Sequence, residues 1–417
     1  MSEPDAQHEN LTTGGKAESA TPKPGVKTRR AAAAEFESVV SEIRALPGFE
    51  HFLAPRKIDD LLSAADQGPV VLMNIAALRS DALVITSGGV ESIPLPDVGP
   101  VQVAAQTSKF LYATNVIEDQ TSAYDAEERQ AAGDATREVL AWLADNLTTV
   151  VLNHLGYTST PPPGAPWPRV WWCPSGLLSL LPIHAAGRHP APSSDEVDAV
   201  IDRVISSTIP TLNALLHARV TPAIQGDPRL LVVVMPDLAG AADEAATLQR
   251  LWRGQSTVLG LPGGEAPTTE NVMANLVSHP CVHYACHGYS NLVDPSASHL
   301  FLADGAFTVT DLARIHLPDA QLAFLSACTT AQTGIALPDE PIHMAAACQL
   351  AGYRHVIASL WAVSDNATAA LAGTFYARLI AEQLGNPAAA LHHATRQVRD
   401  DVPERPHLWA PCIHIGP

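Results

Sequence analysis

Cys281-Val-His-Tyr-Ala-Cys286 runs directly into His287-Gly288, and Leu322-Ala-Phe-Leu-Ser-Ala327 runs directly into Cys328-Thr329-Thr330. Each apolar run has the length and make-up of a fully buried strand. Similar runs recur at 230–235, 256–260 and 355–361, with helical spacing between them at 241–253, 269–278, 340–351 and 366–383. Alternating β and α segments of this size predict an α/β fold built on a doubly wound, mainly parallel sheet. In such sheets, ligands and reactive groups gather outside the carboxyl ends of the strands. Two neighbouring parallel strands that end in His287 and Cys328 would set an imidazole beside a thiol. The imidazole then holds or accepts the thiol proton, and the thiolate attacks.

Either residue alone has an ordinary explanation, since buried cysteines are usually inert packing and the chain has 17 histidines. Three features act jointly. Both residues sit just past a strand end. Gly288 lets backbone approach a ligand closely and offers an N–H to an oxyanion. Ser326 and Ala327 leave room around the sulfur. Cys281, His283, Cys286 and His287 also suggest a metal cluster, but the spacing fits no zinc signature, and strand alternation puts Cys281 and His283 on one face and Cys286 on the other. No metal or organic cofactor is implied. Gly260-Leu-Pro-Gly-Gly264 lacks the Gly-Lys-Ser/Thr ending of a phosphate loop and reads as a turn after a strand.

Working outward, residues 1–30 are polar and read as a disordered tail. A helix is expected over Ala32–Arg44, stopped by Leu46-Pro47-Gly48. Strands are expected at Val70–Ile75, Ala82–Thr86 and Val90–Leu95, and a long helix at Ala135–Leu155 with Asp134 as N-cap. Thr158–Pro168 is a proline-rich loop and a candidate boundary. Beyond it come a strand at Arg169–Cys173 and an apolar turn at Leu177–Ala186. The expected organisation is a tail (1–30), an N-terminal α/β region (31–165) and a principal domain (166–417).

Twenty-five basic and 43 acidic residues give a net charge of −18. That argues against a nucleic-acid footprint, which is a net basic patch, and is compatible with a basic protein or peptide partner. No apolar run reaches the roughly 18 residues that span a bilayer, and the start, Met1-Ser-Glu-Pro-Asp, lacks a secretory pattern. A cytoplasmic location without a membrane partner is expected. Six cysteines scattered over such a chain do not suggest a disulfide framework.

Taken in order, these residues carry a wider pattern. His287-Gly288 closes one strand and Leu325-Ser-Ala-Cys328 the next. Asp339-Glu340, Ala351-Gly352, Val356-Ile-Ala-Ser-Leu-Trp361, Asp365 and Trp409-Ala-Pro-Cys-Ile-His-Ile-Gly416 follow. The pattern resembles the CHAT domain, a caspase-like domain related to separase, closely from about Leu230 to Gly416 and more weakly upstream. The resemblance implies the caspase–hemoglobinase fold, with residues 31–165 as a divergent pseudo-caspase half. It also implies a cysteine endopeptidase acting on a protein or peptide substrate, and it admits an activating partner protein. Carried over by motif, Cys328 is the nucleophile and His287 its partner, with the Gly288 and Cys328 amides as the oxyanion hole. Asp339, Glu340, Trp361 and Asp365 fall on the substrate-binding side. Asp339-Glu340 would also complement the dipole of a helix over 340–351, and Asp365 would cap one over 366–383. A basic residue before the scissile bond is the expected preference. Thr329-Thr330-Ala331 stand where an acidic residue usually follows the Cys, and the caspase Gln-Ala-Cys signature is absent. The alternative is a silent CHAT module that serves as a scaffold or signalling partner.

Overall fold

β-branched and aromatic residues pack well on a sheet covered on both faces, so the apolar runs become its strands. The computed structural model describes residues 26–417 apart from 51, 55, 120, 122, 191–197, 224–225, 239, 336–338, 363–364 and 383. Its strands are β1 (Val70–Asn74), β2 (Asp81–Thr86), β3 (Gly89–Pro94), β4 (Arg169–Pro174), β5 (Gly187–Arg188), β6 (Asp198–Ala199), β7 (Ile205–Thr208) and β8 (Leu230–Val234). They continue as β9 (Ser256–Leu259), β10 (Cys281–Ala285), β11 (Gly288–Tyr289), β12 (His299–Leu302), β13 (Gly305–Thr308), β14 (Leu322–Ser326), β15 (His355–Ser359) and β16 (Cys412–Ile415).

Eleven of them form one sheet in the order β3-β2-β1-β4-β7-β16-β15-β14-β10-β8-β9. β1, β4, β7 and β16 run parallel to one another, and so do β15, β14, β10, β8 and β9. The two blocks meet antiparallel at β15–β16. The sheet is therefore mainly parallel, as predicted, and the strand nearest the end of the sequence sits at its centre. Alternation sends Val282, Tyr284 and Leu325 to a core shared with helix Met344–Ala351, and Cys281, Leu322 and Phe324 to a core shared with helices Ala241–Leu251 and Asp365–Ala381. Helices on both faces explain why these strands are apolar throughout.

Several expectations change. The chain divides into compact units at Lys57/Ile58, and the expected boundary at 165/166 falls inside the second unit, where β1 pairs with β4. Residues 1–25 of the expected tail lie outside the described residues, and the first helix begins at Val26. The helix expected at 135–155 begins at Ala126. Asp125 caps it, accepting from Glu128 N at 2.9 Å while Glu128 Oε2 accepts from Asp125 N at 2.8 Å. That reciprocal box satisfies two otherwise orphaned N–H groups and outcompetes Asp134, which pairs with Arg137. Helix Pro100–Glu118 was not anticipated, since its buried face includes Thr107 and Thr114 and blurs the apolar period. Gly260 is filled by chain rather than open to phosphate, because a Cβ there would meet the Val234 carbonyl oxygen at 1.9 Å.

Among the described residues, no helix is long and apolar enough to cross a membrane.

Candidate active site

β10 and β14 are adjacent, parallel and in register, with Ala285 opposite Ser326. Two residues further along each strand come His287 and Cys328. The strand pairing therefore delivers both to the same carboxyl edge, where the peptide groups are no longer committed to the ladder. The two loops approach closely at the backbone. A Cβ on Gly288 would fall 2.5 Å from the Cys328 carbonyl oxygen and 3.4 Å from the Cys328 nitrogen, so only glycine fits without displacing the chain.

Phe301 N donates to His287 O at 2.9 Å, and Gly288 pairs with Leu300 in the small β11–β12–β13 sheet. That places Gly288 at a non-hydrogen-bonded position of the ladder, with its N–H turned away from β12. The two loops are also laced together, as Ser290 Oγ donates to Thr329 O at 2.5 Å. Thr329 has φ 55°, a left-handed conformation that a β-branched residue rarely adopts. Strain of this kind persists only where surroundings enforce it, and it clusters at functional sites. Here Thr330 Oγ1 accepts from Ser359 N at 3.0 Å, and Ala331 N donates to Ser359 O at 2.9 Å, fixing the Cys328 loop to the end of β15.

Asp237 was not singled out from sequence. It follows β8, the other neighbour of β10, and its Oδ2 lies 3.8 Å from His287 Nε2. The rule that directed attention to His287, a polar residue just beyond a strand end, applies equally to Pro236-Asp237. Both side chains are about half exposed or more, so the pair adds little stability. Asp237 has its place beside the imidazole, on the side of β8.

Beneath the edge, Glu244 Oε1 takes hydrogen bonds from Ser326 Oγ (3.1 Å) and His283 Nε2 (3.1 Å), and His283 Nδ1 meets Tyr376 Oη at 3.2 Å. Both His283 nitrogens are thus engaged. Cys281, Cys286 and Cys348 are buried. Burial pushes the Cys281 thiol up to about 12 and raises Cys286 and Cys348 further, with Cys328 adding to the rise at Cys286. These three are protonated packing residues at neutral pH. Cys328 is only partly buried.

The remaining predicted residues are dispersed. Asp339 lines a cavity of about 350 Å³ whose wall includes Ala331, Ser179, Thr333, His343 and Gln349. Asp339 and Glu340 are exposed and do not open the next helix, which starts at Met344 with His343 Nδ1 accepting from Ala346 N. Trp361 is 3 % exposed, donates to His407 O at 3.0 Å and packs edge-on against Phe110. A buried indole with its N–H satisfied serves the core rather than a ligand. Asp365 begins helix Asp365–Ala381, and its side chain is not among those described.

Burial holds His343 down to about 4, outweighing a hydrogen bond to the Thr330 backbone, and likewise holds His184, His189 and His407 to about 4. Free imidazoles titrate near 6.5, so between pH 6.5 and 4 the unfolded chain takes up protons that the folded chain refuses. Stability is full above that window and falls as pH drops through it, by roughly 3 kcal/mol per imidazole. Denaturant midpoints measured from pH 7 to pH 4 should decline steadily. A flat profile would show these rings to be solvated.

Residues 137–417 match the CHAT domain family model. Two crystal structures of the Saccharomyces cerevisiae separase–securin complex are similar in fold. One superposes with a TM-score of 0.61 at 10% identity, covering 94% of this chain and 32% of that one. The other gives 0.56 at 12% identity, covering 86% and 30%. The chain thus spans about a third of the length of the separase chains it matches. No curated protein sequence matches it. The model match spans well over half of the sequence, and the sheet follows separase and its caspase–hemoglobinase architecture: the chain belongs to the CHAT domain family.

Proposed function

We propose that this chain is a cysteine endopeptidase in which Cys328 attacks a peptide carbonyl and His287 manages the proton. The observation that supports it most is the register of β10 and β14, with Gly288 pressed against the Cys328 backbone. The imidazole takes the thiol proton, and the thiolate adds to the carbonyl carbon. The Gly288 and Cys328 amides face the oxyanion. Collapse of the tetrahedral species breaks the C–N bond, the amine leaves with the proton from His287, and water hydrolyses the thioester. Asp237 stabilises the imidazolium as it forms. A peptidyl chloromethyl ketone should alkylate Cys328 specifically, and new protein termini in cells expressing the wild type should vanish with Cys328→Ala. Alkylation no faster at Cys328 than at Cys173, the other partly buried thiol, with identical termini in both cells, would assign the chain to the alternative, a silent CHAT scaffold.

The preferred substrate has a basic residue before the scissile bond. Asp339 brings a carboxylate to a cavity walled in part by the Cys328 loop, and Gln349 Oε1 in the same cavity is buried without a hydrogen-bond partner among the described residues. Two acceptors in one recess suit a guanidinium, which is all donor. Charged hydrogen bonds contribute about 1.5–3 kcal/mol, so Asp339→Asn should lower kcat/KM for Arg peptides by about tenfold to a hundredfold while sparing peptides with small apolar residues there. Equal loss on both peptide classes would remove Asp339 from the specificity pocket. We further infer a soluble, cytoplasmic protein with a protein partner, a reading supported by the securin-bound state of the separases it resembles.

A further inference from the structure

The small β11–β12–β13 sheet departs from the usual pattern of an antiparallel ladder with one wet face. Such a sheet turns apolar residues toward the core and polar residues toward water. Its inner row follows the rule, since Leu300, Leu302 and Phe307 are buried in the main core. Its outer row does not. Tyr289 and Phe301 are 50 % and 43 % exposed, and the His299 ring packs against both. Ring centroids are 5.4 Å apart for Tyr289 and His299, and 4.6 Å for the edge-on pair of His299 and Phe301. His299 Nδ1 donates to Ala297 O at 2.9 Å, which holds the ring in the row. The three rings form one aromatic shelf.

Register puts the dyad imidazole on the same face. Tyr289 stands opposite His299 and Gly288 opposite Leu300, so the next step of the ladder sets His287 opposite Phe301. The 2.9 Å bond from Phe301 N to His287 O belongs to that step. Successive residues of a strand point to opposite faces. A Cβ on Gly288 would point at Cys328 and Ala327, so His287 and Tyr289 share the outer face with His299 and Phe301. Directly opposed residues carry their Cβ atoms about 5 Å apart, which makes Phe301 the cross-strand neighbour of His287.

In the proposed mechanism His287 gives its proton to the leaving amine, so that nitrogen comes within about 3 Å of the imidazole. One bond of about 1.5 Å joins it to the Cα of the substrate residue after the scissile bond. That residue therefore lies over His287 and beside Phe301. The Asp339 cavity belongs to the opposite flank of Cys328, because its Ala331 wall is tied to β15, and β15 and β10 lie on either side of β14. We propose that Phe301, His299 and Tyr289 bind a large apolar or aromatic side chain at the substrate residue immediately after the scissile bond. The inference rests on the reading of His287 and Cys328 as a dyad. Aromatic faces offer large contact areas and pair favourably with a further ring. A shelf with no far wall gains more from a long side chain than from a short one.

Digestion of a peptide library by the full chain, with the new termini sequenced by mass spectrometry, tests this. Phe, Tyr, Leu and Met should be enriched after the cleaved bond, and Gly, Asp and Glu depleted. On matched peptides that differ only there, kcat/KM should be about tenfold higher for Phe than for Gly, the low end of apolar discrimination because the shelf is open. Phe301→Ser should bring that ratio to about one, whereas damage to His287 would slow both peptides alike. Phe301→Leu should retain most of the preference. If Phe301→Ser fails to fold, Tyr289→Ser takes its place and must lower the ratio. Wild-type cleavage that is indifferent to the residue after the bond overturns the proposal and leaves the dyad standing. An unchanged ratio in the folded serine variant also overturns it. So does a wild-type dimer that Phe301→Ser dissolves, since the shelf would then be a contact between copies. A library left uncut defeats the endopeptidase reading itself, and the shelf assignment with it.

Discussion

Cys328→Ala is expected to leave no measurable peptide-bond cleavage, and His287→Ala to lower kcat/KM by about 10⁴-fold or more, with the double variant no worse than the worst single one. Residues that act as a unit lose nearly everything when any one is removed, so their effects do not add. The folded state should be little changed. Cys328 is only partly buried and His287 is about half exposed, so neither truncation opens a core cavity. The measurement is kcat/KM on an arginyl peptide beside a denaturation midpoint. Activity that survives Cys328→Ala would transfer the chemistry to another group. A midpoint that collapses with Cys328→Ala would make the residue structural instead. Asp237→Asn should cost far less, because it acts on the imidazole rather than on the substrate. Its expected signature is a modestly lowered kcat with an unchanged KM.

The second large effect comes from a single methyl group. Gly288→Ala places a Cβ 2.5 Å from the Cys328 carbonyl oxygen and 3.3 Å from the Ala327 Cβ. Backbone is in the way, not the end of a flexible side chain, so the β10 and β14 loops must part. The Gly288 N–H moves with them. Loss of one oxyanion donor costs about 10²–10³ in kcat, and here the nucleophile's backbone shifts as well, so a drop of about 10³ in kcat with a much smaller change in KM is expected. Cys328 should still react with iodoacetamide, a small alkylating agent that needs no oxyanion hole. That contrast separates a displaced oxyanion site from a lost nucleophile. An unaltered kcat would mean that Gly288 only spaces the two loops.

The positions of the strands were legible in the sequence because strand formation is largely a local matter. Val232, Val282 and Phe324 sit in mainly apolar runs, and a run that needs cover on both faces announces itself through composition. His287 and Cys328 were visible for the same reason, since the end of such a run is also where the chain leaves the sheet. Weakly patterned elements stayed hidden. β7, Ile205-Ser-Ser-Thr208, looks polar and becomes a strand only because β4 and β16 flank it. The Ala126–Leu143 helix had its Asp125–Glu128 box in plain view, yet the apolar period further along drew the expected start to 135.

Lateral order was decided by tertiary structure alone. Nothing within residues 412–415 says that β16 lies between β7 and β15 and runs against the latter. Pairing partners are set by crossovers and by packing of helices, and these leave no mark on the strand's own residues. Three chemical consequences follow from that order. Asp237 meets His287 because β8 lies beside β10. Gly288 abuts Cys328 because β10 lies beside β14. Arg169 in β4 and Arg354 just ahead of β15 line one cavity because the chain folds both strands into one sheet, and the energy of a charge depends on what surrounds it rather than on its neighbours in the chain.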